Sequence, residues 1–313
     1  MNQKVEDLID NINKVMVGKR EAIELLTLTM LCNGHVLIED VPGTGKTTLA
    51  IALAKSIGGD FNRISCTPDV MPSDITGFTM YHPKNEEFEY HEGAVMTNIF
   101  LADEINRTPP KTQSGLLEAM EERHVSVDGT HHKLPDPFMV IATQNPIEYL
   151  GTYPLPEAQL DRFMIKMAIG YPSIEEEMMV MERFKQSNPL DTLEAVITLE
   201  ELKEIQNQIL EVRQHEDVSR YIINLVNATR NSKDTLLGIS PRGTLFISKM
   251  AKGVAFYRGR DYTIPDDVKH IFMPVASHRI VPRPEAKYEN RSNEDIIKDV
   301  MKLVHIPEGD SFA

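Results

Sequence analysis

Apolar side chains at Val5, Leu8, Ile9, Ile12 and Met16 recur at the spacing of one helical face and stop at Gly18, which predicts an opening helix. A second apolar helix is predicted from about Glu21 to Leu31. Shorter apolar runs then take over. His35 to Glu39, Phe61 to Cys66, Ile99 to Ala102, Phe138 to Thr143 and Met164 to Ile169 read as strands, with helices from Thr47 to Ile57 and Pro109 to Arg123 between several of them. Such alternation predicts a parallel sheet with helices on both faces. Two patches interrupt it. Phe78, Met80, Phe88 and Tyr90 alternate around a Pro83-Lys84-Asn85 turn, while Val125 and Val127 lead into Asp128-Gly129, a tight-turn signal. Both read as hairpin insertions outside the main sheet.

After Pro172 the pattern becomes helical only. Ser173 with Glu176, and Thr198 with Glu201, have capping-box spacing. Ser240-Pro241 supplies an N-cap and a first-turn proline for a helix ending near Gly259, and Pro265-Asp266-Asp267 opens another. The expected architecture is therefore an α/β domain over residues 1–171 followed by an all-α domain over residues 172–313.

Composition narrows the partners. A length of 313 residues suits two domains, and 41% hydrophobic content supports ordinary cores. The net charge of -14, with no long Lys/Arg run, disfavours nonspecific nucleic-acid binding and points to protein or small-molecule partners. Cys32 and Cys66 lie in apolar contexts without metal-ligand spacing, so they read as buried reduced thiols, which fits a reducing cytosol. The first residues lack a basic n-region, and no stretch approaches ~18 consecutive apolar residues, so neither a secretion signal nor a membrane span is expected. His131-His132 and the methionines between Glu175 and Met181 form no ligand pattern; they read as a solvated hairpin and an apolar helix face.

The chemistry concentrates in Val36-Leu37-Ile38-Glu39-Asp40-Val41-Pro42-Gly43-Thr44-Gly45-Lys46-Thr47-Thr48-Leu49, where a strand turns through a Gly-rich loop into a helix. That order makes a phosphate cradle. Gly43 and Gly45 allow backbone N–H groups to converge on phosphate oxygens, Lys46 brings an ammonium to the β- and γ-phosphates, and the Thr47 hydroxyl can ligate Mg²⁺. The common pattern has Gly where Asp40 stands. A carboxylate within ~6 Å of a triphosphate costs about 3 kcal/mol at an effective dielectric near 20. The Asp40 carboxylate is therefore expected to face away, capping the turn.

A second acidic site follows in Ile99-Phe100-Leu101-Ala102-Asp103-Glu104, an apolar strand ending in two carboxylates. Ligands of open α/β sheets sit beyond the carboxyl ends of the strands, where Asp103 can hold a metal-bound water and Glu104 can polarise a water for attack on the γ-phosphate. The next strand runs into Gln144-Asn145-Pro146, which brings Asn145 to the same edge.

These parts resemble an AAA+ ATPase, and the wording around them resembles the MoxR family over nearly the whole chain. The similar stretches are Leu37-Ile38-Glu39-Asp40-Val41-Pro42-Gly43, Ala102-Asp103-Glu104-Ile105-Asn106-Arg107, Leu116-Leu117-Glu118-Ala119-Met120, Leu155-Pro156-Glu157-Ala158-Gln159-Leu160-Asp161-Arg162-Phe163 and Ser240-Pro241-Arg242-Gly243. The family tolerates Asp at the position of Asp40. The resemblance implies that Pro42 to Thr48, with Lys46 and Thr47, form Walker A. Asp103 and Glu104 then form Walker B, and Asn145 is sensor 1. Arg162 would be an arginine finger reaching the neighbouring subunit's γ-phosphate, and Arg242 a sensor 2 for its own nucleotide. Val17 and Gly18 would meet the adenine through backbone groups, and the first hairpin would touch a substrate or the ring pore.

The implied function is an ATP-hydrolysing, Mg²⁺-dependent hexameric ring. Its implied work is to remodel or mature a partner protein, including metal-cofactor insertion, alongside a separate von Willebrand factor A domain protein. A phosphotransferase acting on a small molecule and a nucleic-acid-linked motor are the alternatives. Glu104, Asn145 and Arg242 favour water as the acceptor over the first, and the acidic balance weighs against the second.

Overall fold

The structure is a computed structural model describing residues 1–84, 86–146, 151–184 and 188–307. It opens with α1 (Gln3–Asn13) and α2 (Arg20–Leu31), followed by β1 (Val36–Glu39), α3 (Lys46–Ser56) and β2 (Phe61–Ser65). A short α4 (Pro72–Thr76) enters the hairpin β3 (Gly77–His82) and β4 (Glu87–Glu92). Then come β5 (Ile99–Asp103), α5 (Pro110–Glu122), the hairpin β6 (His124–Val127) and β7 (Thr130–Lys133), β8 (Met139–Gln144), α6 (Glu157–Leu160) and β9 (Ile165–Met167). The helical half holds α7 (Ile174–Phe184), α8 (Leu199–Glu211), α9 (Glu216–Asn231), β10 (Thr235–Leu237), α10 (Pro241–Tyr257), α11 (Pro265–Ala276), β11 (Val281–Pro282), α12 (Pro284–Tyr288) and α13 (Asn293–Leu303).

The main sheet has five strands in the order β2-β5-β8-β1-β9, all parallel. Strand periodicity divides its residues between two cores. Val36, Ile38, Ile99, Leu101, Met139 and Ile141 face one core, and Leu37, Phe100, Ala102, Val140 and Ala142 face the other. The second face is closed by Leu116, Leu117 and Met120 of α5. The first is continuous with α1, α2, α3 and the helical half, including Leu202, Leu225, Val254, Ile271 and Ile297. The two halves therefore share one apolar interior. α2 is buried on almost every side, as a helix apolar all round must be.

The two hairpins form separate two-stranded sheets, as insertions should. Asp128 and Gly129 take φ of 49° and 80°, the left-handed pair that a tight hairpin requires. Asn85, part of the expected first turn, lies outside the described residues. The capping boxes form at Ser173 with Glu176 and at Thr198 with Glu201, and Ser240 caps α10 through the Gly243 N–H.

Some expectations fail for identifiable reasons. The opening helix ends at Asn13 rather than near Met16, although Val15 and Met16 stay buried in the turn that follows. The region after Pro172 is not purely helical, because β10 pairs antiparallel with β11. Strands this short carry no alternation to read. His132 is not merely solvated but stacks on Tyr90 with ring centroids 3.6 Å apart, joining the two hairpins. On α7, Met178 and Met181 are 67% and 66% exposed, so the apolar face expected there is not covered by the described residues.

Both cysteines are buried and free, and burial pushes their thiols up, Cys32 to about 12 and Cys66 to about 11. Cys32 also marks where α2 crosses α10, because a Cβ on Gly253 would come within 2.6 Å of its Sγ. Gly→Ala in an open helix stabilises by about 1 kcal/mol, whereas overpacking a core costs about 1–3 kcal/mol. Gly253→Ala should therefore lower the urea midpoint at unchanged m-value, and Cys32→Ala in the same chain should restore most of the loss.

Candidate active site

The cradle grows directly from β1. Asp40 continues the ladder, its N–H donating to Gln144 O at 3.1 Å, and the chain then turns through Gly43 and Gly45 at φ of 84° and 90° into α3. Gly45 is favoured by its left-handed backbone, and a Cβ there would also press on Met16 Cε at 3.1 Å. A Cβ on Gly43 would meet nothing within 4 Å, so that side of the loop is open. The first N–H groups and positive dipole end of α3, which starts at Lys46, make this an anion site. Thr47 and Thr48 follow Lys46 in the first turn of α3. Lys46 Nζ folds over the loop and donates to the carbonyls of Asp40 at 2.9 Å and Val41 at 2.7 Å.

Asp40 does turn away. Its Oδ1 accepts the Val41 N–H at 2.8 Å, and Oδ2 accepts the N–H groups of Ile169 at 2.9 Å and Gly170 at 2.8 Å. The carboxylate thus ties the cradle to the chain leaving β9.

Asp103 and Glu104 emerge at the same edge, with β8 between β5 and β1. Thr143 organises them. Its Oγ1 donates to Asp103 Oδ1 at 2.7 Å and accepts the Glu104 N–H at 2.8 Å. Glu104 sits at φ 59°, ψ 50°, a left-handed conformation that a non-glycine residue holds only when its surroundings impose it. Arg63 of β2 pairs with Asp103 Oδ2 at 2.6 Å, and Arg107 with Glu104 Oε2 at 3.0 Å. Asn145 is buried just beyond β8, between the cradle and the two carboxylates. Neither Thr143 nor Arg63 lies in a stretch whose sequence marks it as part of the site. A hydroxyl ending the apolar run Met139 to Ala142 was the one local sign of the first.

Val17 is buried, and the open side of Gly18 is filled by the Glu176 carboxyl of α7. Lys19 Nζ donates to Tyr171 O at 2.8 Å. Beside this stretch a cavity of about 580 Å³ opens between Gly18, Ile169 at the end of β9, and His270 and Pro274 of α11.

Arg162 and Arg242 are not part of this edge. Arg162 donates to Leu117 O at 2.7 Å and pairs with Glu121 Oε2 at 3.3 Å, and Arg242 pairs with the other oxygen of Glu121. They line a cavity of about 180 Å³ with Gly34 and His35, which precede β1. In a parallel sheet that is the end opposite the cradle, a separation of roughly 15 Å or more at 3.3 Å per residue. Ser240, the cap of the helix that carries Arg242, is hydrogen-bonded to Asp161 at this same end.

The comparisons agree with this fold. The family described as ATPase family associated with various cellular activities (AAA) matches residues 35–165, and the AAA lid domain matches residues 227–300. The protein YeaC of Bacillus subtilis is 51% identical over 96% of this chain and 93% of its own. Chaperone MoxR1 of Mycobacterium tuberculosis is 40% identical over 97% of this chain and 82% of its own. A crystal structure of a candidate ATPase from Cytophaga hutchinsonii matches with a TM-score of 0.91 and 39% identity, covering 98% of this chain and 96% of that one. Fold and site together define an AAA+ ATPase, an α/β nucleotide domain with a helical lid. The chain belongs to the MoxR family of these ATPases. Among the described residues no helix is long and apolar enough to cross a membrane.

Asp40 offers a direct test of the cradle's anchorage. Asp40→Ala should destabilise the fold by about 1–3 kcal/mol, the cost of leaving buried donors unsatisfied. A urea midpoint equal to that of the parent protein would show that the contacts to Ile169 and Gly170 carry no weight.

Proposed function

We propose that this chain hydrolyses ATP as one subunit of a homo-oligomeric ring, a hexamer by family resemblance, and uses the hydrolysis to remodel a partner protein. The observation that carries the reading is the separation of Arg162 and Arg242 from Lys46 within one chain. Groups at opposite ends of the sheet can meet at one nucleotide only if the two ends belong to different copies.

In this reading the Gly43 to Thr48 backbone and Lys46 hold the phosphates, corresponding to Walker A, and Val17 and Gly18 meet the base. Glu104 takes a proton from the attacking water, and Asn145 orients that water toward the γ-phosphate. Arg162 and Arg242, paired on Glu121, counter the developing charge on the neighbour's nucleotide. Arg242 then serves the adjacent site rather than its own. The donors that Thr47 and Asp103 offer are hard oxygens. That suits Mg²⁺, which takes one or two carboxylates together with substrate phosphates. Held by Thr47 and Asp103, it would supply charge neutralisation on the phosphate oxygens.

The β3–β4 hairpin supports a role on another protein, because Phe78, Met80, Tyr81 and Phe88 are exposed on an insertion that the nucleotide chemistry does not use. Maturation of the client, with metal-cofactor insertion and a separate von Willebrand factor A domain partner, follows from the family resemblance. A cytoplasmic location is proposed from Cys32 and Cys66 as buried reduced thiols, and a division into domains at residues 171 and 172 from the change of pattern after Pro172.

Lys46→Ala should abolish tight ATP binding, since charge-assisted contacts are the strong ones; calorimetry giving affinity close to the parent would reject the cradle. Glu104→Gln should bind ATP normally and hydrolyse it on the order of 10²-fold slower. Arg162→Ala should also bind ATP normally yet lose about 10²-fold or more in turnover, by analogy with other trans arginines. Mixed with Lys46→Ala, it should regain activity as subunits exchange. Verified mixed rings without recovery would reject the shared site.

A further inference from the structure

Arg162 sits in the turn between α6 and β9, and that turn is held by the lid. The carboxylate of Asp161 accepts the Ser240 hydroxyl, at 2.9 Å and 2.8 Å to its two oxygens, and Arg279 Nε at 2.8 Å. Arg279 follows α11, and its guanidinium also reaches the backbone on both sides of Arg162. Nη2 donates to Asp161 O at 3.0 Å and Phe163 O at 2.6 Å, and Nη1 to Met164 O at 3.2 Å and to Val275 O. Phe246 of α10 lies beneath it, 5.2 Å from ring to guanidinium. The neighbouring His278 Nε2 is 3.0 Å from the same Phe163 carbonyl.

This is a costly way to close a turn. The Arg279 side chain is 1% exposed, and burial pushes its guanidinium down to about 10 against the pull of Asp161. A buried ion pair is often no more stabilising than well-packed apolar residues would be. What the fork of donors supplies is orientation, because several fixed acceptors must be met at once. The chain segment it orients contains Arg162. Because Ser240 caps the helix that carries Arg242, the same contacts hold both arginines in one unit.

We propose that Arg279, acting through Asp161 and Ser240, is a positioning residue for Arg162, holding it in the orientation that the neighbouring subunit's nucleotide requires. The inference rests on the shared-site reading above. Its signature is sidedness: damage at Arg279 should appear in the next subunit's turnover, while the damaged subunit's own cradle stays competent.

The test uses the full chain with Arg279→Lys, which keeps the charge and loses the fork, and Ser240→Ala as a milder second variant. Each should bind ATP within about threefold of the parent protein. Arg279→Lys should hydrolyse it on the order of 10²-fold slower, the scale of a misplaced catalytic group, and Ser240→Ala should lose less. Mixed with Lys46→Ala, whose Arg162 is intact, each should recover activity. Mixed with Arg162→Ala, neither should, because no subunit then offers a well-held arginine. Failure with Lys46→Ala, or recovery with Arg162→Ala, overturns the assignment. Arg162→Ala mixed with Lys46→Ala is the control: its recovery confines such a failure to Arg279, and its own failure overturns the shared site and this proposal with it.

Discussion

In a parallel sheet all strands deliver their carboxyl ends to one edge, and the opposite edge receives only their beginnings. That polarity governs this protein. The cradle after β1, the carboxylates after β5 and Asn145 after β8 share an edge because the strand order β5-β8-β1 leaves them no other place. The turn carrying Arg162 precedes β9 and therefore lies at the other end. No side-chain rotation in one chain spans that distance, so the arrangement sets what the nucleotide edge can complete alone.

β9 is the strut between the two ends. At its exit, the Asp40 carboxylate receives the backbone of Ile169 and Gly170; at its entry, Asp161 is bound by Ser240 and Arg279. A carboxylate suits both places, since it is an acceptor only and can take several donors at once. One fixes the cradle to the strand, and the other fixes the strand's approach to the lid. The shared apolar interior, running from Val36 and Ile38 through α2 to α10 and α11, keeps the halves in register. Inter-domain contacts that are small and polar would permit loose relative motion; this one is continuous and apolar.

Elsewhere apolar surface is left uncovered. Met178 and Met181 on α7, and Phe78 and Phe88 on the first hairpin, are exposed. The hairpins nonetheless touch each other through Tyr90 and His132, so the insertion is braced against the fold rather than hanging free.

The sequence by itself determined the strands and helices of the sheet, the hairpins and the cradle, because periodicity, capping and turn chemistry are local and Gly43, Gly45 and Lys46 act through neighbours in the chain. It also placed Asp103, Glu104 and Asn145 at one edge, since each lies at or just after the end of a strand and a parallel sheet needs only one rule to collect strand ends. Only the tertiary structure decided the rest. Thr143 and Arg63 bind Asp103 from other strands, Asp40 finds its partners beyond β9, and Arg242 shares the Glu121 carboxylate with Arg162 at the end away from the cradle. Arg279, an arginine within an apolar stretch, gave no sign that it would close on the turn holding Arg162. Those contacts join residues far apart in the chain, and which of them meet depends on how the lid packs across the sheet, information that no local pattern carries.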